Sequence, residues 1–158
     1  MLWTAFTMTG MKMSSLLKKR ITVMEETVFL LNSLMSEIEF TGADIAKILS
    51  SVSSKTSVKN LYYLKKFSDY ELYGDFHKVW RSAVEAFPYY KSEEKEKMLQ
   101  LGSFLGTTDK ESQLATIKLY FNYFANYREV AVNDYEKYGR ISSLFGLFAG
   151  ASVFILLL

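Results

Sequence analysis

The chain has 158 residues, no cysteine, one histidine and one proline, with a net charge of +2. The length fits one domain, and the charge is too small to argue for nucleic acid or a strongly acidic partner. Lacking cysteine excludes disulfides, thiolate metal sites and cysteine nucleophiles, and a single histidine leaves transition metals without their usual ligands.

The charges are unevenly placed. All 36 charged residues lie between Lys12 and Arg140, leaving uncharged tails on either side. This divides the chain into a partial N-terminal membrane segment (1–11), a cytoplasmic helical bundle (12–140) and a C-terminal transmembrane helix (141–158).

Met1 to Met11 is apolar but reaches only about 16 Å as a helix, too short to span a bilayer. Its basic residues, Lys12, Lys18, Lys19 and Arg20, follow the apolar stretch, the reverse of a secretory signal. We therefore expect the inner half of a membrane helix whose beginning is missing, with a short interfacial anchor as the alternative.

From Ser14 to Phe40, the residues Leu17, Ile21, Met24, Val28, Leu31, Leu34 and Ile38 recur at helical spacing and predict a long amphipathic helix. Thr41-Gly-Ala-Asp44 reads as the start of a second helix, with Asp44 in its first turn and its end near Ser50. A serine-rich break covers Ser50 to Ser57. A third helix is expected over Val58 to Phe67. Gly74 precedes or interrupts a fourth, in which Phe76, Trp80, Val84 and Phe87 form a stripe that Pro88 closes. A fifth helix begins at Ser92 with Glu93 and Glu94 and ends at Gly106. Thr108-Asp-Lys-Glu111 reads as a capping box for a sixth, which continues past Leu114, Ile117, Phe121 and Phe124.

Ile141 to Leu158 has no polar face, and as a helix it covers roughly 27 Å, close to a bilayer's hydrocarbon thickness. Tyr135 and Tyr138 stand just before it, as interfacial aromatics do. Ser142, Gly146 and Gly150 repeat every four residues and place small side chains on one face, suited to close helix packing. Basic residues flank both tails on the inner side, which puts the bundle in the cytoplasm. The fold class expected is all-α: a bundle of five to six helices with membrane-directed ends.

Motifs for chemistry are sparse. His77 has no Glu-x-x-His partner, so it reads as a surface or half-buried side chain. Gly102 and Gly106 lack the Gly-Lys-Ser/Thr ending of a phosphate loop and read instead as a close-packing site and a helix cap. Serines are many, but no Gly-x-Ser-x-Gly turn occurs. Glu37 and Glu39 point to different helix faces and form no acid/base pair; either one meeting a partner or a cation is the sharper reading. Lys59, Lys65 and Lys66 interleave with Tyr62, Tyr63 and Phe67, but Asp69, Glu71 and Asp75 offset their charge, against nucleic acid. We expect no cofactor, no metal and no enzyme activity.

The strongest landmarks are Leu101-Gly-Ser-Phe-Leu-Gly-Thr-Thr-Asp109, Glu111-Ser-Gln113, and Tyr135-Glu-Lys-Tyr-Gly-Arg140 running into Phe145-Gly-Leu-Phe-Ala-Gly150. With Thr9-Gly-Met-Lys-Met13, Lys18-Lys-Arg20, Leu31-Asn-Ser-Leu34 and Ser36-Glu-Ile38, they resemble the stage III sporulation protein AB family of endospore-forming bacteria. That family begins with a full membrane helix, cut short in this chain, and often carries Pro-Leu where this chain has Ala43-Asp44-Ile45.

The resemblance implies a scaffold similar to the inner-membrane platform proteins of type II secretion and type IV pilus systems. It would sit in the mother-cell membrane around the forespore, beside other membrane subunits, lipid and a cytoplasmic secretion-type ATPase, with a homo-oligomer possible. A small membrane-anchored regulator or adaptor is the alternative. Glu37, Leu101, Gly102, Leu105, Gly106, Asp109 and Gln113 are the candidates for partner contact or packing, and Ser142, Gly146 and Gly150 those for membrane-helix packing.

Overall fold

A computed structural model describes residues 2–42, 44–68 and 75–139. Among them all regular structure is helical, with no strand: α1 (Leu2–Thr41), α2 (Ile45–Ser53), α3 (Phe76–Glu85), α4 (Ser92–Phe104) and α5 (Lys110–Asp134). Two 3₁₀ turns, Thr56–Val58 and Tyr62–Phe67, link α2 to α3, and a π-helical segment, Tyr135–Gly139, follows α5. The uncharged N-terminal segment is thus the beginning of the same helix that the amphipathic stretch continues. No described helix is long and apolar enough to cross a membrane. Ile141 to Leu158, with Ser142, Gly146 and Gly150, lies outside the described residues.

The chain divides into two compact units, Val23–Asn126 and a second formed by residues 1–22 with 127–158. In the second unit, Ala131 is buried and the Lys18 ammonium lies 5.6 Å from the centre of the Tyr135 ring.

The Val23–Asn126 unit holds most of the core. Along α1, Met24, Leu31, Leu34 and Ile38 are buried as their spacing predicts, joined by Val23 and Leu30. Trp80, Val84 and Phe87 bury their side chains, while Phe76 at the start of α3 is only half-buried. Rings from the second 3₁₀ turn, from α3 and from the segment after it meet edge to face, with Tyr63 5.0 Å from Phe87 and 6.4 Å from Trp80 between centroids.

Helix ends follow local chemistry. Gly42, at φ +59°, stops α1, and Asp44 caps α2 by accepting from the Ala46 N–H at 2.9 Å. Asp44 is therefore the cap itself and not a first-turn residue. The helix runs on to Ser53, past the expected end at Ser50, and this last turn buries Val52 beside Leu49; the Ser53 and Ser54 hydroxyls bond back to the carbonyls of Ser50 and Ser51 where it ends. The Asp75 carboxylate accepts from the His77 and Lys78 N–H groups and starts α3. Asp109 accepts from the Ser112 N–H at 3.0 Å, so the helix is capped by Asp109, one residue after the Thr108 expected to open a capping box.

The expected third α-helix is replaced by the two 3₁₀ turns. Glu26 ties the junction between the turns to α1: its carboxylate reaches across and accepts the backbone N–H groups of Asn60 (2.7 Å) and Leu61 (3.2 Å). The Leu61 N–H also bonds to the Val58 carbonyl at 2.9 Å, the i→i−3 pattern of a 3₁₀ turn.

Candidate functional site

The candidate residues from Leu101 to Gln113 build one corner. Leu101 and Leu105 are 0 % and 1 % exposed, so they hold α4 against the core and offer nothing to a partner. Gly102 is buried against Trp80: a Cβ there would fall 2.1 Å from Cδ1 of the indole. Trp80 is in turn fixed by its indole N–H, which donates to the Met98 carbonyl at 2.7 Å. The Gly102 carbonyl accepts from His77 Nδ1 at 2.9 Å, which gives the lone histidine a packing role at the edge of a small cleft.

Gly106 takes φ +78° and turns the chain after α4, a conformation glycine adopts without steric cost. Gln113 then ties the turn together. Its Nε2 donates to the Thr108 carbonyl at 2.6 Å, and its Oε1 accepts from the Gly106 N–H at 3.4 Å. Asp109 is held below the ordinary carboxylate value, first by its hydrogen bonds with Ser112. The spacing Leu-Gly-x-x-Leu-Gly-x-x-Asp-x-x-x-Gln thus encodes a helix–turn–helix corner, each member with an intramolecular task.

This corner lies beside the α1–α2 corner. Lys110 donates its ammonium to the Glu39 carbonyl at 2.7 Å, and Ile38, Gly42, Asp44, Ile45, Gly106 and Gln113 line a cleft of about 310 Å³ between the two turns. Glu37 is half-buried in the last turns of α1, and Phe40 beside it is 82 % exposed. Glu37, Gly106, Asp109 and Gln113 therefore share one end of the Val23–Asn126 unit, whereas Leu101 and Gly102 belong to its interior.

A buried polar network was not among the expected sites. Thr27 donates its hydroxyl to the Val23 carbonyl at 2.8 Å, so it must accept from the Tyr90 O–H, also 2.8 Å away. Tyr63 lies 3.2 Å from the Tyr90 oxygen. Burial pushes both phenols well above the ordinary tyrosine value, and the charges of Glu94 and Glu26 push Tyr90 further. The signal in the sequence was positional: Glu26 and Thr27 fall on the same helical stripe as Val23 and Leu30. No group of acidic or histidine side chains suited to holding a metal occurs among the described residues.

These features define a helical-bundle protein whose most distinctive motif shapes a corner between helices. The chain belongs to the stage III sporulation protein AB family, whose sequence model matches residues 1–158, the whole chain. No curated protein and no solved structure matches it.

Proposed function

We propose that this stage III sporulation protein is a non-enzymatic membrane scaffold in a secretion-like complex between mother cell and forespore. The family match over residues 1–158 carries the reading, through the resemblance of that family to inner-membrane platform proteins. The uncharged tails support it, since Met1–Met11 and Ile141–Leu158 bracket every charge in the chain. The motif residues Gly102, Gly106, Asp109 and Gln113 add to it, because each acts in packing, turning or capping. Such a subunit works by position: its ends lie in the mother-cell membrane, its bundle faces the mother-cell cytoplasm, and a secretion-type ATPase and other membrane subunits assemble on it. It takes no cofactor and no nucleic acid.

The test is chemical cross-linking in sporulating cells followed by affinity capture from membranes. Recovery of a secretion-type ATPase with sporulation membrane proteins is the expected result. Capture of the same unrelated partners in vegetative and sporulating cells would overturn it in favour of a general membrane adaptor.

A further inference from the structure

Two surfaces of the Val23–Asn126 unit each set an exposed aromatic ring among charges of one sign. At the corner between α1 and α2, Phe40 is 82 % exposed. Glu37 lies one helical turn before it on the same face, and Glu39, Asp44, Asp109 and Glu111 are exposed on the adjoining turns. The base among them, Lys110, is drawn onto the Glu39 carbonyl.

The second surface is the outer side of α2 and the two 3₁₀ turns. Ile48, Leu49, Val52, Leu61, Leu64 and Phe67 point inward, while Lys47, Lys55, Lys59, Lys65 and Lys66 are all exposed. Tyr62 stands among them, 47 % exposed. From Ile45 to Ser68 the sequence contains no acid, so five lysines lie within that stretch before Asp69 and Glu71 offset part of their charge, and among the described residues none of these lysines joins an ion pair.

We propose that these surfaces bind each other between two copies of the chain, Phe40 of one copy against Tyr62 of the next, with the corner carboxylates meeting the lysines. Phe40 is largely exposed and Tyr62, which packs one edge against Phe87 at 5.3 Å, keeps its other side open, so both rings leave apolar area for a second molecule to cover. Burying two rings supplies apolar area, and the opposite charges around them fix orientation and exclude the like-with-like arrangement. Because the surfaces differ, the contact is heterologous. Every added copy presents one unfilled corner and one unfilled lysine face, which suits growth into a ring or row. The inference rests on reading the chain as an assembly subunit.

The absence of cysteine makes the test clean. Full-length Phe40→Cys and Tyr62→Cys variants carrying different tags are co-expressed, their membranes are oxidised, and disulfide-linked species are sorted by tag. The expected product carries both tags and dominates either single-tag species. Adding Lys65→Glu and Lys66→Glu to the Tyr62→Cys copy lowers it roughly tenfold, and adding Glu37→Lys and Glu39→Lys to the other copy restores it. The substituted side chains are exposed except for Glu37, which is half-buried, and unchanged circular dichroism verifies that the bundle is intact. Dominant single-tag species, no linked species, or no restoration by the charge swap would each overturn the proposal. So would protection of the Tyr62→Cys thiol by anionic vesicles alone, which assigns the lysines to lipid. Capture of the sporulation complex without mixed-tag product would leave the scaffold reading standing and remove only the self-contact.

Discussion

A methyl group on Gly102 would lie 2.1 Å from Trp80 Cδ1 and 2.2 Å from Nε1, so the indole dictates what residue can stand opposite it. All three atoms nearest that Cβ belong to the ring, which is 1 % exposed and held through its N–H to the Met98 carbonyl. Relief would require the whole side chain to shift within a filled core.

Gly102→Ala is therefore expected to destabilise the protein by about 1–3 kcal/mol, although alanine favours a helix over glycine by about 1 kcal/mol. Denaturant unfolding followed by circular dichroism measures the difference, and the Trp80 fluorescence should move with it. An unchanged midpoint would show that the indole has room to yield.

Glu26 presents a different kind of constraint. Its carboxylate is 7 % exposed and accepts from the backbone N–H groups of Asn60 and Leu61 and from the Asn60 side chain. Glu26→Ala removes the acceptor of the Asn60 backbone and side-chain donors, while the Leu61 N–H keeps the Val58 carbonyl, at a cost of about 1–3 kcal/mol. Glu26→Gln keeps one oxygen but turns an amide donor toward other donors, so its loss should be smaller and still measurable. Chemical denaturation of the two variants in parallel tests the ordering; equal stability of Glu26→Ala and the parent would show that these contacts add nothing to the stability of the fold.

These two cases mark what the sequence makes legible. Helical spacing identifies the buried stripe of α1, and Gly106, Asp109 and Pro88 punctuate the helices because capping and turning chemistry is local. The Val58–Phe67 stretch is broken at Asn60 and Leu61, where the chain is tied to Glu26, 34 residues distant from Asn60, and no local pattern reports that partner. The same holds for the candidate site. Gly102 stands out as a glycine within a helix, but its reason, Trp80, lies on another helix. Leu101 and Leu105 share its motif and are closed to partners by burial that only packing reveals.

The proposed membrane role gives a prediction for the C-terminal tail. On the proposed membrane helix, the four-residue spacing of Ser142, Gly146 and Gly150 would put small side chains on one side, where a second membrane helix could approach closely. Gly146→Leu fills that approach. The expected outcome is several-fold less of the other membrane subunits in affinity capture, with the bundle's circular dichroism unchanged. Unaltered co-purification would dismiss the small-residue face.

The buried phenols make a prediction about alkali. Tyr63 and Tyr90 are held neutral in the folded protein, both raised above the ordinary value of 10.0 by burial first of all. The unfolded chain binds fewer protons than the folded one once its own tyrosines ionise, so stability is fully present below about pH 10 and falls as pH rises past it. Tyr90→Phe removes one of these two groups together with the hydrogen bond to Thr27. It should cost about 1 kcal/mol at neutral pH and make the alkaline decline shallower. Unfolding free energies measured from pH 8 to pH 11 for both proteins test this, because the two curves converge with rising pH only if Tyr90 is part of the cause. Parallel curves would assign the alkaline loss to other groups, and the network of Thr27, Tyr63 and Tyr90 would then act through packing alone.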